Sequence, residues 1–201
     1  MITSEDAATF ERCMAVGGFA VFPADTVYGL ACDPDAKETV QRLHLLKRRS
    51  MDKPSAVMFF DAELALDTLT ELEGPVRTAA EKLLPGAVTL LVPNPAHRFA
   101  LACGADPDTL GLRVPKLDTE LANVRWPVLQ TSANFAGRPD PRRLQDVPLG
   151  LRDSAELVLD GGELPGMPST VIDLRNYANT GEYAIVRQGL FPADEVASRL
   201  R

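Results

Sequence analysis

Histidine, cysteine, tryptophan and positive charge are all scarce in this sequence. Its 201 residues include two histidines, three cysteines, one tryptophan, and 21 lysines and arginines against 28 aspartates and glutamates, a formal net charge of -7. His44 and His97 form no HExxH pair, and Cys13, Cys32 and Cys103 fall outside any CxxC spacing. These absences argue against a zinc site and a disulfide framework, so no metal-ligand cluster is expected and both histidines read as ordinary surface or capping residues. An acidic chain with 6% aromatics also lacks the broad basic surface and stacking rings by which proteins grip nucleic acid. No stretch approaches the roughly 18 apolar residues of a membrane span. The opening "MITSEDAATFERC" has no basic segment followed by an apolar one. A soluble, cytoplasmic protein is the expectation.

What the sequence does have is enough apolar content, 45%, to bury a full core without staples. One domain over residues 1–201 is expected. Helical spacing of Ala7, Phe10 and Met14 predicts a helix from Ser4 to Val16, stopped by Gly17 and Gly18. Val40, Leu43 and Leu46 predict a second over Ala36 to Arg48, with cations in its last turn where they complement the helix dipole. Pro75 marks the start of a third in "GPVRTAAEKLL", and "FPADEVASRLR" reads as a terminal helix. Short apolar runs predict strands at "FAVF", "SAVMFF", "AVTLLV", "LGLRV", "PVLQT", "ELVLD", "STVIDL" and "EYAIV". Strands mixed with helices along the whole length give an α/β or α+β fold around one large sheet covered by helices.

Polar residues that bear chemistry gather at the strand ends. "FPADTVYGL" leaves a strand carrying Asp25, Thr26 and Tyr28. Arg113 lies inside an apolar run with Thr109 four residues earlier, which in a strand puts both on one face. Ser132 and Asn134 follow "PVLQT", Ser169 and Thr170 precede "VID", and Arg187 ends a run. Lys47, Arg48, Arg49 and Lys53 fall within seven residues. Open sheets bind ligands beyond their strand ends, and these loops suit an anion. Each segment also has a plain structural reading. The lysine and arginine cluster suits a solvated helix end, and "SAN" suits a turn. Tyr28 suits the core, Ser169 and Thr170 suit a strand cap, and a buried Arg113 would need a carboxylate such as Asp118 or Asp173. No GxxxxGK[ST], GxGxxG or GxSxG element is present.

Five segments in order, "FPADTVYGLACD", "LKRRSMDKP", "TSANFAGRP", "STVID" and "IVRQG", resemble the YrdC family of threonylcarbamoyl-AMP synthases. The resemblance runs from Phe22 to Gly189. It implies a twisted mixed sheet with flanking helices and a large concave cavity, and formation of threonylcarbamoyl-AMP and pyrophosphate from L-threonine, bicarbonate and ATP. A separate transferase then places the threonylcarbamoyl group on adenosine 37 of ANN-decoding tRNAs, so direct tRNA binding is not expected. The resemblance assigns Lys47, Arg49, Lys53, Thr109, Ser132, Asn134 and Arg187 to ATP, with Lys47 and Arg49 catalytic through their charge. Thr26, Arg113 and Ser169 are assigned to threonine. Mg2+ is expected to accompany ATP. The chain resembles the short form of the family, without a further C-terminal domain. Rival expectations are an RNA-binding module, a related carbamoyl-transfer domain and a catalytically divergent paralogue. Three departures bear on loop shape: Ser50 replaces proline after KxR, Gln130 and Thr131 replace a small residue and proline before SxN, and Gln188 replaces proline after Arg187.

Overall fold

The computed structural model describes residues 2–201. These form nine strands: β1 (Phe19–Pro23), β2 (Tyr28–Cys32), β3 (Ala56–Met58), β4 (Val88–Pro93), β5 (Thr109–Arg113), β6 (Val128–Ser132), β7 (Leu157–Val158), β8 (Thr170–Asp173) and β9 (Ala184–Arg187). Eight helices join them: α1 (Ser4–Ala15), α2 (Lys37–Leu46), α3 (Ala62–Thr68), α4 (Gly74–Leu83), α5 (Ala100–Cys103), α6 (Leu149–Arg152), α7 (Tyr177–Thr180) and α8 (Ala193–Leu200). A reciprocal cap starts α1. The Thr3 hydroxyl accepts from the Asp6 N–H at 3.2 Å while the Asp6 carboxylate accepts from the Thr3 N–H at 2.8 Å, an arrangement that stabilises a helix by about 1 kcal/mol. None of the helices among the described residues is long and apolar enough to cross a membrane.

All nine strands join one sheet in the order β7-β1-β2-β6-β3-β5-β4-β8-β9. Pairings β1–β7, β3–β5 and β4–β8 are parallel and the rest antiparallel, which makes the fold a mixed α/β sheet. Because side chains alternate across a strand, its two faces have different fates. Leu110 and Leu112 of β5, Leu90 and Val92 of β4, and Val57 of β3 turn into the larger core with Val40 and Leu43 of α2, Ala80 and Leu83 of α4, and Val196 of α8. Ala20, Ala31, Met58 and Val128 face the other way, onto Phe10 and Met14 of α1 and Leu121 nearby. There Phe10 stacks edge-on against Phe60 with ring centroids 5.6 Å apart, a geometry that adds about 1 kcal/mol beyond area burial. Helix α1 covers only one end of this second face. The uncovered remainder is the floor of a cavity.

Five elements, β2, α3 and the four-residue helices α5, α6 and α7, differ from the sequence expectation. "YGLAC", read as a loop, is the fully buried strand β2, formed because β1 and β6 pair with its two edges. Helix α3 follows β3 where no helix is expected, capped by Asp61 Oδ1 accepting from the Leu64 N–H at 2.7 Å. His44 also departs from expectation. It is buried, with its Nδ1 3.1 Å from the Ser50 carbonyl oxygen, and burial pushes its imidazole below the usual histidine range.

Candidate functional site

The cavity has a volume of about 430 Å³ and lies on the face of β6, β3, β5, β4 and β8 that α1 leaves open. Alternation along β5 points Thr109, Gly111 and Arg113 into it, while Leu110 and Leu112 go to the core. Six of the residues singled out in the sequence line it: Arg49, Thr109, Arg113, Ser132, Ser169 and Arg187. Three further cation and acid contributors, Arg175, Asp106 and Asp140, were not singled out. Arg175 follows β8 and is held by Asp173 at 2.6 Å. It obeys the strand-end rule that picks out Arg113, and that rule applied to "VIDLR" finds it.

Arg113 ends β5 in the interior. Its Nη2 donates to Asp25 Oδ1 and, at 2.7 Å, to Thr26 Oγ1. The carboxylate partner is thus Asp25, neither Asp118 nor Asp173. The loop leaving β1 crosses the end of β5, whereas Asp173 is engaged by Arg175. Arg113 Nε has no hydrogen-bond partner among the described residues, so the guanidinium fork is only partly used. Thr26 itself is buried behind Arg113 and is fixed from its other side by the Gly166 N–H on its carbonyl at 2.9 Å. Tyr28 is a core residue, as its plain reading has it. Its hydroxyl meets Asp160 Oδ1 at 2.9 Å and accepts from the Gly161 N–H at 3.0 Å.

On the β4, β8 and β9 side of Arg113, Arg187 Nη2 donates to the Ser169 carbonyl oxygen at 2.8 Å, and Ser169 Oγ pairs with Thr89 Oγ1 at 2.8 Å. Gln188, where the family pattern has proline, fixes the same corner by donating to the carbonyl oxygens of Gly189 at 2.9 Å and Phe191 at 2.8 Å. Ser50 likewise rebuilds a turn without proline, its hydroxyl accepting from the Asp52 N–H at 3.2 Å.

The cation cluster is a helix terminus in which each member has a separate fate. Helix α2 ends at Leu46, Lys47 remains helical, and Arg48 takes a left-handed conformation with φ 54°. The Arg49 N–H then returns to the His44 carbonyl oxygen at 2.9 Å, the pattern by which left-handed residues close helices. The segment is therefore a turn, not the extended piece whose alternation would separate Arg48 from its neighbours. Arg48 is exposed with its guanidinium over the Phe135 ring. Arg49 reaches the cavity, and its Nη2 donates to the Pro54 carbonyl oxygen at 2.6 Å. Lys53 is exposed and does not line the cavity.

Lys47 is only 1% exposed, which overturns the reading of the cluster as a solvated helix end. Its ammonium lies behind the cavity wall, donating to the carbonyl oxygens of Ser132 and, at 2.8 Å, Asn134, with Asn134 Oδ1 at 3.3 Å. Ser132 Oγ in turn donates to Asn134 Oδ1 at 2.7 Å, and the Ala136 N–H returns to the Lys47 carbonyl at 3.1 Å. "SAN" is therefore a loop moulded on a buried lysine, with Ser132 presented to the cavity. Burial, helped by Arg49 and opposed by Asp140, brings the Lys47 ammonium down to about 7 from 10.5. The unfolded chain keeps that proton up to about 10.5 and the folded chain releases it near 7, so between those values the unfolded state binds more protons and stability rises with pH. From about pH 7 to 9, urea melts should gain up to ~1.4 kcal/mol per pH unit relative to Lys47→Met. A flat difference would mean that the ammonium stays charged on its three oxygens.

Comparison with known proteins places the site in context. The Sua5/YciO/YrdC family model, described as telomere recombination, matches residues 12–189. The chain is 33% identical over 178 residues to a threonylcarbamoyl-AMP synthase of Pseudomonas aeruginosa, covering 87% of this chain and 95% of that one. It is 28% identical to a threonylcarbamoyl-AMP synthase of Pyrococcus abyssi over 90% of this chain and 53% of that one. A Bacillus subtilis synthase is 31% identical over 75% and 45%. The chain therefore spans about half the length of the Pyrococcus and Bacillus relatives. Among solved structures, P. abyssi Sua5 complexed with L-threonine superposes with a TM-score of 0.82 at 26% identity, over 99% of this chain and 58% of that one. E. coli YciO shares the fold, with a TM-score of 0.78 at 22% identity over 96% and 94%.

Proposed function

Because the chain belongs to the Sua5/YciO/YrdC family, we propose that it is a nucleotidyltransferase that makes threonylcarbamoyl-AMP and pyrophosphate from L-threonine, bicarbonate and ATP. The observation that carries this reading is the convergence of Arg49, Arg113, Arg175 and Arg187 on one sheet-floored cavity in a chain of net charge -7. Positive charge is concentrated where a polyanion would sit. Arg113, with a buried and partly unused fork, takes the threonine carboxylate in the planar fashion that lysine cannot. Thr26 positions it, and Ser169 lines the wall beside it. Arg49, Arg187, Thr109 and Ser132 face the nucleotide, while Lys47 and Asn134 hold the Ser132 loop from behind. Lys53 is given no contact. The threonine amine takes up bicarbonate carbon to form a carbamate with loss of water. A carbamate oxygen then attacks the α-phosphorus as the bond to the pyrophosphate leaving group breaks. No covalent enzyme intermediate forms, so the residues act by position and by charge that meets the developing phosphate charge.

Mg2+ fits this cavity as a companion of ATP, with phosphate and water as its ligands. Among the described residues no three or more metal-ligating side chains come together. Of the lining carboxylates, Asp106 already accepts from Thr109 Oγ1 at 2.7 Å. Asp140, which also lines the cavity, would face the phosphates and their ion. The product passes, in a cytoplasmic setting, to a transferase that modifies adenosine 37 of tRNA.

Pyrophosphate release that requires threonine, bicarbonate and ATP together is the expected result, and release independent of either small substrate would defeat the reading. The same assay tests selectivity. Valine leaves the partner of the threonine hydroxyl unpaired and should be rejected by up to about 10⁴-fold, whereas serine lacks only a methyl and should lose about 10- to 200-fold. Equal turnover of valine and threonine would show that the hydroxyl is not read.

A further inference from the structure

Gln130 has no task in the scheme above, yet it occupies the centre of the cavity floor. On β6 it faces Ala31 of β2 on one side and Ala56 of β3 on the other, and Ala56 in turn faces Gly111 of β5. Among these four positions its side chain is the polar one, between small neighbours. Ser132 lies two residues further along the same strand, and Arg113 lies two residues from Gly111 toward the opposite end. Rows two residues apart are separated by about 7 Å, so Gln130 stands midway between the nucleotide-facing and the carboxylate-facing rows. The residue is 5% exposed and lines the cavity, and no side-chain hydrogen bond joins its carboxamide to any described residue. It is laid over Gly29, where an added Cβ would come within 2.8 Å of Nε2. The carboxamide thus presents its hydrogen-bonding capacity to the cavity, unused by any described residue, and the family pattern has a small residue at this position. The amide is therefore an addition that makes sense when a ligand completes it.

We propose that the Gln130 carboxamide recognises the carbamate formed from bicarbonate and the substrate amine, an inference that rests on the function proposed above. A carbamate presents one N–H donor beside its C–O acceptors. A primary amide presents the complement, with Oε1 accepting from the carbamate N–H and Nε2 donating to one carboxylate oxygen. Neutrality matters here. An arginine or lysine at the same place would hold the carboxylate more tightly but would withdraw charge from the oxygen that attacks phosphorus, whereas an amide orients it and leaves the second oxygen free.

The test is steady-state pyrophosphate release with bicarbonate, threonine and ATP each varied in turn, for the unmodified chain and for Gln130→Met and Gln130→Glu. Gln130→Met keeps the length and loses both hydrogen bonds. It should raise the KM for bicarbonate about tenfold or more, the scale of one to two neutral hydrogen bonds, with the KM values for ATP and threonine within about twofold. Gln130→Glu removes the donor and sets a carboxylate against the carbamate, so kcat should fall further than in Gln130→Met. If Gln130→Met does not fold, Gln130→Ala, which restores a small side chain, serves for the same comparison. An unchanged bicarbonate KM, or a rise confined to ATP, would overturn the assignment while leaving the proposed function standing. An unmodified chain that releases no pyrophosphate with threonine and bicarbonate would overturn both.

Discussion

Arg113→Ala should destabilise the protein by about 3–5 kcal/mol and abolish threonine binding, since removing one member of a buried pair leaves the other charge uncompensated. The charge left behind is Asp25, whose side chain is 6% exposed and whose Oδ2 already lacks a hydrogen-bond partner among the described residues. Arg113→Lys separates the two consequences. It keeps a cation for Asp25 and loses the planar fork, so the fold should survive while threonine binding weakens by ~2 kcal/mol, the scale of a charge-assisted hydrogen bond. ATP binding should hardly change. Urea unfolding reads the first effect and calorimetry with threonine the second. Unaltered threonine affinity in Arg113→Lys would remove Arg113 from the site.

The second large effect divides the cation turn into three. Lys47→Ala strips the donor from the carbonyl oxygens of Ser132 and Asn134 inside the protein, so about 2–4 kcal/mol of stability should go with it, and adenylate formation should fall with the loosened Ser132 loop. The exposure once expected of a helix end would have made this change nearly silent. Arg49→Ala should leave stability within about 1 kcal/mol, because Arg49 is half-buried and bonded to a single carbonyl, yet lower the rate of pyrophosphate release roughly tenfold or more. Arg48→Ala should leave the rate nearly intact, as its side chain lies in solvent over Phe135. Three equally silent substitutions would return the cluster to a solvated face.

Eight of the nine strands were legible as apolar runs. The missing one, β2, carries Gly29 and Ala31 and follows closely on Asp25 and Thr26, whose polarity marks a loop. Only its pairing with β1 and β6 makes "YGLAC" a strand, and pairing between distant segments leaves no local mark. Helix α3, seven residues long, is too short to show a period. At the site, the placing of Thr109 and Arg113 on one face followed directly from strand alternation. The depth of Lys47 did not, because it depends on Phe135, Ser132 and Asn134 closing over a turn whose left-handed residue is an arginine, where glycine is the usual signal. The partner of Arg113 was misread for a related reason. Asp118 is nearer in sequence, but the loop carrying Asp25 is nearer in space.

The parity of β5 sets a limit on how this protein can evolve. Thr109, Gly111 and Arg113 form the cavity floor while Leu110 and Leu112 lie in the core, so substitution can retune the pocket one position at a time. Deletion of a single residue within the strand would rotate every side chain beyond it to the opposite face. Arg113 would then be driven among the leucines and its neighbours into water, and fold and site would be lost together. Length changes should therefore be confined to the loops that rim the cavity, and a lineage altering its ligand preference has to do so by point replacement along an otherwise fixed frame.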